Sequence, residues 1–97
     1  SGGEPNALAG ADRIAGFVTQ AGSRLNVMAG AGLDANNIRE VARRSSAREF
    51  HGSARAVRRS LSRHRIDGLP GLDADWWQTD VGIVRAMVDA LEYHGLR

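Results

Sequence analysis

Leu25-Asn26-Val27-Met28-Ala29-Gly30-Ala31-Gly32, followed by Arg48-Glu49-Phe50-His51-Gly52-Ser53-Ala54-Arg55, sets the architecture expected of this chain. Each stretch is a short strand-like run that breaks into small residues, giving strands over Leu25 to Ala29 and about Arg48 to Gly52. Between them Ile38, Val41, Ala42 and Ser45 recur at helical spacing, while Arg39, Glu40, Arg43 and Arg44 line the wet side of the same helix. Glu40 and Arg44 are also spaced to pair along it. The Gly30-Ala31-Gly32 turn leads to Asp34, a suitable N-cap. Strand, helix and strand at these separations imply a parallel pair with a right-handed crossover. The polar residues gather at the carboxyl ends of the two strands, the edge where parallel α/β proteins bind ligands.

Working outward, Ser1 to Asn6 is turn-like and Asn6 can cap a first helix, roughly Ala7 to Ala21. In it Ile14, Phe17, Val18 and Ala21 share one face, and Gly22 is a natural stop. From Ala56 to Gln78 the pattern dissolves into an Arg-rich loop that ends in Trp76-Trp77. Thr79 or Asp80 then caps a last helix with Val84, Met87, Val88 and Leu91 as its buried stripe and Gly95 as its end. The order is helix, strand, helix, strand, long loop, helix. Two parallel strands do not make a stable sheet alone. Residues 1–97 are therefore expected to be the C-terminal part of a single α/β domain, a (β/α)8 TIM-type barrel, a fold of about 250 residues.

Bulk composition excludes more than it assigns. The 97 residues are 42% hydrophobic with no run long enough to cross a bilayer, so a soluble chain without a membrane partner is expected. Ser1 is followed by no charged-then-apolar leader, so no secretory signal is expected. With no cysteine there is no disulfide, thiolate ligand or thiol nucleophile. All thirteen basic residues are arginine, yet eleven carboxylates bring the net charge to +2. Nucleic-acid binding needs a basic face rather than an excess of arginine, which argues against that partner.

Alternation along the strands sorts the polar residues. Leu25, Val27 and Ala29 share one face with the helices, as does Phe50 on the second strand. Asn26, Met28, Glu49, His51 and Ser53 then look into the barrel. An ionisable pair such as Glu49 and His51 is costly there unless hydrogen-bonded or given a task. The alternative is that the two satisfy one another in a structural network.

Ser1-Gly2-Gly3, Ala7-Leu8-Ala9-Gly10, Val27-Met28-Ala29-Gly30-Ala31-Gly32, Asn37-Ile38 and Glu49-Phe50-His51-Gly52-Ser53-Ala54-Arg55 together resemble the CutC-type copper homeostasis proteins. Thr79-Asp80 with Val84, Met87, Val88 and Leu91 looks like that family's final helix. The resemblance covers nearly the whole chain, as the C-terminal portion of a longer protein. Ala31 stands where a third glycine is usual, and the Arg-rich stretch 58 to 65 has no clear counterpart. The resemblance implies a (β/α) barrel, a cytoplasmic location and the handling of a copper ion. Thioether and imidazole suit copper, so Met28 and His51 are the candidate ligands. His64 sits between Arg63 and Arg65, which disfavours a metal, and His94 suits a helix C-terminus.

A rival reading is a barrel enzyme or binding protein for a phosphorylated, anionic small molecule, held between the loops after the last two strands. Gly30 and Gly32 would let backbone N–H groups approach the anion, Ser53 adds a hydroxyl, and Arg55 a bidentate charged contact. Glu49 or His51 would then act as acid or base, although no reaction is assigned. Against this, the glycines can serve only the turn, and Arg55 can pair with an acidic neighbour. A third reading gives Arg55, Arg58, Arg59, Arg63 and Arg65 to a polyanion, with Arg55, Arg58 and Arg59 on one helical face; a solvated loop is the better account. Trp76 and Trp77 are expected to cover the barrel end or a contact between subunits.

Overall fold

The computed structural model describes residues 1–59 and 75–93. Its elements are α1 (Ala11–Ala21), β1 (Met28–Gly30), α2 (Ile38–Ser45), β2 (Glu49–His51), β3 (Arg55–Arg59), β4 (Asp75–Thr79) and α3 (Val81–Tyr93). The chain is mixed α/β. β1 and β2 pair in parallel, with Met28 beside Glu49, Ala29 beside Phe50 and Gly30 beside His51. α2 forms the connection between them, so the βαβ unit read from the sequence is present.

Local chemistry sets the boundaries. The Asn6 side chain accepts from the Ala9 N–H (2.8 Å) and its carbonyl from Gly10 N–H (3.1 Å). These bonds make a separate turn, and α1 begins at Ala11 rather than at Ala7. Asp34 Oδ1 accepts from the N–H groups of Asn36 and Asn37, while Asn37 Oδ1 accepts from the Asp34 N–H. This reciprocal arrangement satisfies donors ahead of α2 that would otherwise lack partners. Ile38, Val41, Ala42 and Ser45 are all buried, as their spacing requires. The buried Ser45 hydroxyl accepts from the Ala47 N–H (3.1 Å), which removes the cost of burying it.

The core joins Ala7, Ile14, Ala29, Leu33, Ile38, Val41, Ala47, Ala54 and Met87. Four of these nine are alanines, and Ile38 and Val41 are the largest apolar side chains fully enclosed. Helix α3 is capped by Asp80, whose carboxylate accepts from the Ile83 N–H (3.0 Å). Of its expected stripe Met87 is buried and Leu91 packs on the core, but Val84 is 38% exposed. Ile83 and Ala90 pack there as well, so the covered face is broader than the expected stripe, whose Val84, Met87, Val88 and Leu91 border one recess with Ile38 and Phe50. Gly95 and His94 lie outside the described residues, as does His64.

Two further expectations are corrected. The loop expected from Ala56 to Gln78 instead begins and ends as an antiparallel pair, with Arg55 opposite Thr79, Val57 opposite Trp77 and Arg59 opposite Asp75. Four strands are thus described rather than two. Because β3 is a strand, the helical grouping of Arg55, Arg58 and Arg59 does not form; Arg63 and Arg65 lie outside the described residues. The second correction concerns ion pairs. Glu40 approaches Arg43 (3.8 Å), while Arg44 reaches across to Asp12 of α1 (3.2 Å). Arg44 lies on the side of α2 next to α1, where a carboxylate on the neighbouring helix competes with the local one.

Candidate functional site

The carboxyl edge of the parallel pair is where the polar residues meet. His51 stands beside Gly30, and a Cβ added at Gly30 would lie 3.6 Å from His51 Cβ and 4.0 Å from its Nδ1. That is ordinary contact, so the imidazole lies alongside a strand end with no side chain of its own. Met28 and Glu49 are neighbours one step earlier on the same face, and both are exposed. Buried Ala29 and half-buried Phe50 point the other way, toward the helices. The sorting of faces by alternation holds within the two strands, which are shorter than expected. Asn26, Met28, Glu49, His51 and Ser53 are exposed, but so is Leu25, which precedes β1 and does not join Val27 and Ala29 against the helices.

The turn after β1 is held by its carbonyls. Gly30 O accepts from the Ser1 nitrogen (2.6 Å), Ala31 O from the Ala7 N–H (2.8 Å) and Gly32 O from Asn37 Nδ2 (2.8 Å). Ala31 and Gly32 both have left-handed φ, +87° and +71°. At Gly32 a Cβ would also come within 3.0 Å of Asn6 Cβ, so glycine is required by conformation and by space.

The exit from β2 is stitched to the start of α3. Thr79 Oγ1 donates to Ser53 O (3.2 Å), and the Asp80 N–H donates to Ala54 O (2.8 Å). A Cβ at Gly52 would sit 2.7 Å from Met87 Cε, so the flexible end of that side chain would have to shift. These contacts bring the β3–β4 pair over the strand ends. His51, Gly52, Ser53, Ala54 and Arg55 form one wall of a recess of about 470 Å³, and Trp77, Gln78 and Thr79 the other. Arg55 lies over the Trp77 ring, 4.7 Å from guanidinium carbon to ring centroid. Among the described residues no carboxylate pairs with Arg55.

His51, Ser53 and Arg55 thus share one recess and Gly30 adjoins it through His51. Gly32 packs on Asn6, away from the recess walls, and Glu49 and Met28 lie further back on the open strand face. Met28 and His51 are offset by two positions in the register. Among the described residues no three His, Cys, Asp or Glu side chains cluster as a metal site. The sequence reading places Trp77 at the barrel end or a subunit contact, Gln78 at the end of a loop and Thr79 as a possible helix cap, and puts none of them in the recess. The aromatic, β-branched run Trp76-Trp77-Gln78-Thr79 was the signal for a strand.

Comparison with known proteins agrees with the short motifs. Residues 1–56 match the CutC family. A family protein CutC of Xanthomonas axonopodis pv. citri (strain 306) is 41% identical over 92 residues, covering 95% of this chain and 38% of the relative. One from Xylella fastidiosa (strain 9a5c) is 45% identical over 93 residues, 94% of this chain and 34% of the relative. A third, from Caulobacter vibrioides (strain NA1000 / CB15N), is 53% identical over 53 residues, 55% of this chain and 22% of the relative. The chain spans little more than a third of the curated relatives it matches along most of its length. With more than half of its residues matching the family, among them both strands of the parallel pair, the chain belongs to the CutC family.

Proposed function

We propose that the chain supplies the ligand-facing end of a CutC-type (β/α) barrel in the cytoplasm, and that this end binds a small anionic molecule. The observation that carries the proposal is the recess in which His51, Ser53 and Arg55 converge. Arg55 has no carboxylate partner there among the described residues, so its charge is available to a ligand. A guanidinium grips an oxyanion by charge-assisted hydrogen bonds, and the Ser53 hydroxyl can add a further donor. The proposal is one of binding; His51 is the group placed to meet the rest of the ligand. Calorimetric titration with inorganic phosphate and a sugar phosphate tests it. Arg55→Ala is expected to weaken binding by about tenfold or more, the worth of a hydrogen bond to a charged group. Unchanged affinity in that variant would remove the proposal.

Copper as cargo is a second reading, favoured by one observation. Met28 and His51 present a thioether and an imidazole on the same exposed strand face. Such donors suit the monovalent ion. Two soft donors offset along the sheet make a sparse site, however, and no three His, Cys, Asp or Glu side chains cluster among the described residues. Copper(I) titration of the protein beside His51→Ala and Met28→Ala separates the readings. Loss of copper affinity in both variants, with phosphate affinity kept in Met28→Ala, would favour the metal.

A further inference from the structure

We infer that Trp77 is a positioning residue for Arg55, and that the pair selects anions presenting two oxygens on one atom, a phosphate monoester or a carboxylate. The inference rests on the anion reading of the same recess. An arginine at an exposed position samples many rotamers, and ordering it opposes binding. Here the guanidinium lies over an indole at 4.7 Å, a cation–π arrangement that holds its plane before a ligand arrives. A guanidinium engaged by its face keeps its N–H groups at the rim, where two parallel bonds to one oxyanion can form.

The backbone fixes this stack. Arg55 pairs with Thr79 and Val57 with Trp77, so Arg55 and Trp77 are diagonal neighbours on one face of the β3–β4 pair. Thr79 in turn is bonded to Ser53 O, which ties that face to the end of β2. Trp77 is 60% exposed, and Trp76 lies on the opposite face with its indole N–H donating to Gln78 Oε1 (3.3 Å). Two adjacent tryptophans therefore have different work, and only Trp77 reaches the arginine.

The test uses inorganic phosphate and acetate as probes, with affinity measured by calorimetry at low ionic strength. Trp77→Ala is expected to weaken binding about fivefold, the worth of an exposed cation–π contact, and Trp77→Phe to recover much of it. Arg55→Lys keeps the charge but loses the fork, and is expected to cost about tenfold. Trp76→Phe should leave affinity unchanged, and in that background the remaining Trp77 fluorescence should change on adding either anion. If Trp77→Ala binds like the parent while Arg55→Ala does not, the positioning role is overturned and the anion site stands. If Arg55→Ala binds like the parent, both fall. Equal losses in Trp76→Phe and Trp77→Ala would mean the strands merely need their tryptophans, which also overturns the inference.

Discussion

Ala31 carries a φ of +87°, a backbone conformation that costs an L-residue about 1–2 kcal/mol over glycine. It persists because the carbonyls of Gly30, Ala31 and Gly32 are each bonded to neighbouring segments, which over-determine the turn. Replacing Ala31 by glycine should therefore stabilise the chain by roughly 0.5–1 kcal/mol, after the entropy cost of glycine in the unfolded state is deducted. Urea unfolding checks this, and a destabilised variant would show that the turn is unstrained. Gly32→Ala is the converse case. Its φ of +71° and the 3.0 Å approach of Asn6 Cβ combine, and a loss of at least about 1 kcal/mol is expected. The family resemblance marks Ala31 as standing where a third glycine is usual; that the position is strained needed the turn's φ angles.

At the scale of elements, α2 and α3 are built differently. The stripe Ile38, Val41, Ala42 and Ser45 was legible because it follows from the helical period alone, and all four are buried. Ile38→Ala removes the centre of that stripe and should cost about 2–5 kcal/mol in the same unfolding measurement. Helix α3 holds less of its stripe in the core, so its cap has more weight. Asp80→Ala removes the acceptor for the Ile83 N–H and should cost about 1 kcal/mol. Because the Asp80 N–H holds Ala54 O through the backbone, the variant keeps that tether. Its loss should appear as faster hydrogen exchange in the first turn of α3, with β2 unaffected. The Arg44–Asp12 bridge, with Asp12 85% exposed, should contribute less than about 1 kcal/mol.

Across the whole molecule, the described residues leave the ligand-facing side of β1 and β2 open, with Met28 57% exposed, and Leu25 ahead of β1 is 61% exposed. Phe17, Leu25 and Val27 line an apolar groove nearby. Each of the two strands pairs on one side only among the described residues, and such edges invite pairing with other chains. The 97-residue chain by itself is expected to associate as its concentration rises, by sedimentation velocity, and Phe17→Glu with Leu25→Lys to reduce this. A chain that stays monomeric to its solubility limit would mean these surfaces are covered. No helix among the described residues is long and apolar enough to cross a membrane.

The sequence by itself determined the βαβ unit, the alternation of faces within Met28 to Gly30 and Glu49 to His51, the cap at Asp80, and the family. All of these rest on periods of two or 3.6 residues, on bonds spanning three or four positions, or on short motifs. Only the tertiary structure decided that Arg55 to Arg59 pairs with Asp75 to Thr79, that Arg44 prefers Asp12 to Glu40, and that Arg55 rests on Trp77. Those contacts join residues far apart in the chain, where no local period signals the partner. Which contact forms there depends on competition among the surfaces that the fold brings together.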